Sequence, residues 1–179
     1  LADGPYKVKD WIVLNDQLRG EVTHIGIRST RILTTDDVEI TVPNAIIGNA
    51  QLLNETGGPY RRQRVRINFS VAYGSDVEQV REVVRAGVTG DQYILWEPEA
   101  AAPKIRFRSL GDSGLEFQLS VWIDDPASRE FVIDDMTTRV YNALNAAGIE
   151  IPFPKRDIYI KEMPQPSTLN QALTRSLNK

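Results

Sequence analysis

Cysteine is absent from the 179 residues, and histidine occurs once. Without a thiol there is no disulfide, no thiolate nucleophile and no cysteine metal ligand. The lone imidazole, His24, cannot assemble a zinc site, which takes three or four protein ligands. Its place between Thr23 and Ile25, in a run of strand formers, reads as a partly exposed strand residue. No apolar run reaches the roughly 18 to 20 residues that cross a bilayer, and no signal-peptide pattern opens the chain. A basic excess is missing too: 21 Lys and Arg stand against 24 Asp and Glu, for a formal charge of -3 and a pI near 5.3. That balance argues against a general nucleic-acid binder. The chain opens on Leu1 rather than Met and is expected to be a piece of something longer.

Assembled catalytic chemistry is also scarce. The carboxylate pairs are adjacent in sequence: Asp36-Asp37, Asp124-Asp125 and Asp134-Asp135. The first two read as turn or helix-start residues. The third falls on a helix, where neighbours diverge. Gly111-x-x-Gly114 reads as a hairpin turn and not a phosphate loop, because no helix follows it. An enzyme is therefore not expected, and neither is a metal or a cofactor.

What is present is strand after strand. Residues 8–14 (VKDWIVL), 20–30, 31–35, 38–42 and 50–55 each carry β-formers, with turn residues between them. Thr23, Ile25 and Ile27 are predicted to share one face, and so are Val38, Ile40 and Val42. Five short strands in about 50 residues bury their faces by curling into a small barrel. Residues 56–59 (TGGP) read as a linker.

Residues 60–162 alternate differently. Val65, Ile67, Phe69, Val71 and Tyr73 line one face of a strand. Ser75 and Glu78 fit a capping box ahead of a helix with Val77, Val80 and Val84 at helical spacing. Two strands, 104–110 and 115–123, flank the 111–114 turn. A second helix over 128–147 places Val132, Met136, Val140 and Leu144 on one stripe, with Gly148 as its C-terminal cap. A last strand over 149–160 is interrupted by Pro152 and Pro154. The order is β-α-β-β-α-β, the split ferredoxin-like arrangement. The predicted fold class is α+β: a small five-stranded β-barrel of the Sm-like or SH3-like kind over 1–58, then a ferredoxin-like βαββαβ sandwich over 59–162. In the tail, 163–179, Ser167 and the stripe Leu169, Leu173, Leu177 leave a short helix and a flexible tail both open.

Small barrels and ferredoxin-like sheets also host RNA-binding modules, which stack bases on open-face aromatics. Here the open face reads Arg64, Arg66, Asn68, Ser70 and Glu116, Gln118, Ser120, Trp122, with Trp122 its one aromatic. Phe69, Phe107 and Phe117 fall on the helix-covered face. The cluster Arg61, Arg62, Arg64, Arg66 reads as a solvated strand face with an interdomain or intersubunit role.

Several motifs, in order, resemble the cytosolic region of the small-conductance mechanosensitive channel (MscS) family. They are Pro5-Tyr6-x-x-x-Asp10-Trp11-Ile12; Gly20-x-Val22 with Arg28-Ser29-Thr30-Arg31; Ile40-Thr41-Val42-Pro43-Asn44 with Ile46; Gly48-Asn49; Val71-Ala72-Tyr73; Leu110-Gly111-Asp112-Ser113-Gly114-Leu115; and Ala147-Gly148-Ile149-Glu150-Ile151-Pro152-Phe153-Pro154. They span 5–161, nearly the whole chain. The resemblance implies a homoheptamer at the cell membrane with this segment on its cytoplasmic side, joined to the membrane by helices upstream of Leu1. Ions and small osmolytes would pass through it, and no nucleic acid is expected. The other class left open is a soluble oligomeric nucleic-acid- or ligand-binding module. Family members often continue into a second small barrel that closes the base; here Pro164-Gln165-Pro166 departs from that pattern. The candidate assembly or domain contacts are Pro43, Asn44, Ile46 and Ile47, where a strand ends in Pro-Asn and runs into an apolar patch, and Phe153 on a strand edge blocked by prolines.

Overall fold

In a computed structural model of the chain, the structure describes residues 4–154, 156, 159 and 161. The first part is β1 (Trp11–Leu14), β2 (Leu18–Ile25), β3 (Ser29–Thr34), β4 (Glu39–Pro43), a short helix α1 (Asn44–Asn49) and β5 (Leu52–Asn54). They form one antiparallel sheet in the order β4-β3-β2-β1-β5. The five expected strands are present, but β4 and β5 do not pair with each other, so the sheet is not a closed barrel. Instead the chain passes from β4 to β5 through α1, whose Ile47 joins Ile12, Leu14, Val22, Ile32 and Val42 in the core.

The expected face of β2 is corrected by a bulge. Pairing with β3 slips between Val22 and His24, so Thr23 is the extra residue. A bulge breaks the two-residue alternation. Ile25, opposite buried Thr30, therefore shares the side of buried Val22 and not that of Thr23, though at the end of β2 it is exposed, and Ile27 beyond the strand is 99% exposed. Val38 is likewise outside the core, because the β3–β4 turn lifts it past the last pair, Leu33 with Glu39.

The expected linker is tied down at its start. Trp11 donates its backbone N–H to Thr56 Oγ1 at 3.0 Å, and Asn54 Oδ1 accepts from the amides of Thr56 and Gly57 at 3.1 and 2.7 Å. One side chain then bridges the two parts of the molecule. Arg19 Nε donates to Glu55 Oε2 at 3.0 Å, its Nη2 donates to the carbonyl of Pro126 at 3.0 Å, and its guanidinium lies 4.9 Å over the Trp11 ring.

The second part is β6 (Gln63–Ala72), α2 (Val77–Val88), β7 (Lys104–Leu110), β8 (Gly114–Ile123) and α3 (Arg129–Ala146). The sheet order is β6-β8-β7, so β8 inserts antiparallel between the strands that α2 connects. Both helices cover one face. Val80, Val84 and Val88 from α2, and Val132, Met136, Val140 and Leu144 from α3, meet Val65, Ile67, Leu115, Phe117, Leu119 and Val121. Phe117 stacks on Phe69 at 5.5 Å and tilts against Phe107 at 5.2 Å. The predicted stripe of α3 is buried in full. Gly148 has φ +67, and Ile149 N–H returns to the carbonyl of Leu144, closing the helix as its glycine predicts.

Two expectations change here. The N-cap of α2 is Asp76 rather than Ser75. Its Oδ1 accepts from Glu78 and Gln79 amides at 2.8 and 3.0 Å, while Ser75 Oγ donates back to the carbonyl of Ala72. Residues 149–154, expected to begin a fourth strand, form no strand. Ala72 of β6 donates its N–H to the carbonyl of Glu150 at 2.8 Å. Pro152 and Pro154 have no N–H to continue a ladder. The tail 163–179 lies outside the described residues.

Candidate functional site: an assembly corner

The corner at 43–49 is held by one amide side chain. Pro43 precedes α1 with φ -58, a position that needs no N–H partner. Asn44 follows, and its Nδ2 donates to the carbonyls of Gly26 at 2.9 Å and Ile27 at 3.1 Å. Its Oδ1 accepts from Thr30 Oγ1 at 2.9 Å, and its backbone N–H donates to the carbonyl of Arg28 at 2.9 Å. Thr30 is fully buried and its hydroxyl also pairs with Tyr6 Oη at 3.0 Å. Asn44 therefore locks the β2–β3 loop to the start of α1, and that fixes which way the helix faces.

The consequence is a division among the candidate residues. Ile47 turns inward and is buried in this chain's own core, and Asn44 spends its side chain on internal bonds. Pro43 is exposed and Ile46 is 56% exposed. Beside them an open, mostly apolar groove of about 470 Å³ runs between Pro5, Tyr6, Ile25, Ile47 and Leu52. Far along the chain, Ile151 packs on the helix-covered core and Pro152 lies against Gly114, which leaves Phe153 77% exposed. Phe153 does not cap the core of its own unit.

The entry of the chain into β1 has a second polar clamp. Asp10 Oδ2 accepts from Lys7 N–H at 2.9 Å and Asn54 Nδ2 at 2.8 Å, and Oδ1 accepts from Thr56 Oγ1 at 3.3 Å. Burial pushes the Asp10 carboxyl up. The bonds from Asn54, Lys7 N–H and Thr56, with the Lys7 charge, outweigh it and hold the group below its ordinary value of 3.8. A depressed carboxylate adds stability above its unfolded pKa and loses it as pH falls through the folded one. The stability gap between wild type and Asp10→Asn is therefore expected to be constant at neutral pH and to shrink below about pH 3.8. Urea midpoints measured from pH 7 to 2.5 check this.

Asn44→Ala would leave two carbonyls and the Thr30 hydroxyl short of a partner. We expect a loss of about 2 kcal/mol of stability. Asn44→Asp, which keeps the acceptor but aims a carboxylate at two carbonyls, should not rescue it. Denaturant midpoints of the two variants check both expectations.

With this geometry in view, comparison with known proteins is decisive. The family model "Mechanosensitive ion channel, beta-domain" matches residues 1–57, and "Mechanosensitive ion channel MscS, C-terminal" matches residues 65–151. This chain belongs to the MscS family. An MscS family protein of Synechocystis is 30% identical over 80% of this chain and 46% of its own length. The small-conductance mechanosensitive channel MscMJ of Methanocaldococcus jannaschii is 27% identical over 90% of this chain and 45% of its own. The crystal structure of Helicobacter pylori MscS in a closed state superposes with a TM-score of 0.74, at 28% identity, covering 89% of this chain and 60% of that one. This MscS-family chain thus spans about half the length of the curated relatives it matches.

No helix among the described residues is long and apolar enough to cross a membrane. No group of three His, Cys, Asp or Glu side chains among the described residues is placed to hold a metal. His24 stands exposed at the bulge end of β2. Sequence reasoning missed the Asp10–Asn54–Thr56 clamp, whose partners are more than 40 residues apart, and the pairing of buried Asp91 with Arg139 of α3 at 3.0 Å. Asp-Trp in the first motif and the Asn-x-Thr at 54–56 were the visible traces of the first. Nothing local marks the second.

Proposed function

We propose that this chain is the cytoplasmic-side vestibule and assembly region of a tension-gated mechanosensitive channel in the cell membrane. It assembles as a homoheptamer and passes ions and small osmolytes under hypo-osmotic stress. The observation that carries this reading is the pair of family models, met in order along 1–57 and 65–151 with the corner at 43–49 between elements of the first. The likeness to the closed Helicobacter pylori channel supports it. In that setting the five-stranded sheet with α1 serves as the Sm-like unit, and β6, β8 and β7 under α2 and α3 serve as the ferredoxin-like one.

Pro43, Ile46 and Phe153 are the outward residues of this reading, with Asn44 and Ile47 holding the corner from within. Large exposed apolar side chains on rigid supports are what an obligate ring covers. Ile46→Asp sets a charge into that contact. In the full-length protein it is expected to shift the tension threshold or prevent assembly, while leaving the fold of a single chain intact because Ile46 is already outside the core. Patch recordings under suction from cells lacking their own channels, with native mass of the detergent-extracted protein, test the proposal. A dimeric or trimeric mass, or no tension-gated current from wild type, would overturn it. Normal assembly and gating of Ile46→Asp would reduce the corner to a turn.

A further inference from the structure

The face of the second sheet turned away from α2 and α3 is lined with cations. Register sets Arg64 opposite Trp122, Arg66 opposite Ser120 and Asn68 opposite Gln118. On the other side of β8, Lys104 lies opposite Ser120 and Arg106 opposite Gln118. Directly opposed side chains of an antiparallel pair share a face. Arg64 and Arg66 on β6 and Lys104 and Arg106 on β7 therefore stand on one face, on either side of β8 and about 10 Å apart. All four are exposed, and none takes part in an ion pair among the described residues. Two guanidiniums sit over one indole: Arg62 is 5.5 Å and Arg64 5.4 Å from the Trp122 ring, and Arg62 is also 4.6 Å from Tyr60. The acid that register places on this face, Glu116, lies beyond the Asn68–Gln118 row. Like charges gathered this way repel, and the aromatic stacking offsets only part of that.

The helix side of the same unit carries the opposite sign. Glu130 and Asp134 are exposed and four residues apart, so they share one face of α3. Asp124 and Asp125 are exposed just ahead of the helix. Among the described residues none of these four is in an ion pair, and Arg129 is the one cation in the stretch 124–134. Among them are Phe131, 50% exposed, and Tyr93, 43% exposed, in edge-to-face contact at 4.7 Å. Both patches lie at the same end of the unit, since Trp122 and Asp124 are two residues apart at the end of β8. A surface and its complement on opposite faces of one molecule make a head-to-tail contact, and such contacts form a ring when the rotation between copies closes.

We propose that the cationic, Trp122-centred sheet face of one copy docks on the acidic, Phe131-centred patch of the next copy around the ring. This rests on the self-assembly reading above and adds which surfaces meet. Arg64→Cys and Asp134→Cys, made in full-length protein freed of any other cysteine, test it after mild oxidation. The two positions lie on opposite sides of the sheet, so a bond within one chain is excluded. The double variant is expected to give a ladder of covalently linked subunits, and a mixture of the two single variants a linked dimer. Independently, Arg64→Glu with Arg66→Glu should weaken association by about tenfold or more, and adding Glu130→Arg with Asp134→Arg should restore it. Wild-type assembly that persists with no linked species, and with no loss on charge reversal, overturns this docking while leaving the channel reading standing. Wild type that does not assemble removes the channel reading itself, and this one with it.

Discussion

Gly20→Ala is expected to be among the most damaging single-atom additions in the first sheet. A methyl group at Gly20 would fall on the carbonyl oxygen of Leu33 and lie 2.7 Å from Ile32 Cγ2 and 2.9 Å from the Leu33 carbonyl carbon. Two of those three atoms are backbone, so no side-chain rotation relieves the clash. The third belongs to Ile32, which is fully buried. β2 and β3 would have to part where the sheet curls over its core. We expect a loss of about 3 kcal/mol, against a total of about 5 to 15 kcal/mol for a protein. Circular dichroism during urea titration measures it. A wild-type midpoint would mean that the strands separate at almost no cost.

Phe117→Ala is expected to cost about 3 to 5 kcal/mol, the range for removing a buried aromatic ring. Phe117 is 1% exposed at the centre of β8, flanked by Phe69 on β6 and Phe107 on β7. Its ring therefore touches both outer strands at once. Phe107 is 36% exposed, so its loss should cost less than half as much, which makes Phe107→Ala a calibrating control. Thermal unfolding of the two variants under one set of conditions gives the comparison. A larger effect at Phe107 would contradict the packing described above.

Where one face of an element is buried along its whole length, period alone located it. The α3 stripe Val132, Met136, Val140, Leu144 and the alternation in β6 and β8 were read correctly because each is a repeated local signal. The errors came where a single residue resets the period. The Thr23 bulge split the expected face of β2, setting Ile25 on the side of Val22 and Thr23 on the other, since the bulge depends on the partner strand and not on β2 itself. Asp76 displaced Ser75 as cap because both residue types cap equally well and the helix start decides between them. The Pro-Asn break ahead of an apolar patch marked the 43–49 corner in the sequence, but not which of its residues face outward. That was fixed by Asn44 reaching back to Gly26 and Ile27, a contact 17 to 18 residues long in sequence.

Arg19 gives the molecule a mechanical property. Its guanidinium is shared among Glu55, the Pro126 carbonyl and the Trp11 ring, so one stiff planar group spans the seam between the two sheets. Hydrogen bonds weaken steeply once stretched or bent. The tie from β2 to the turn before α3 therefore rests on a directional bond, which holds at its set geometry and lets go once bent.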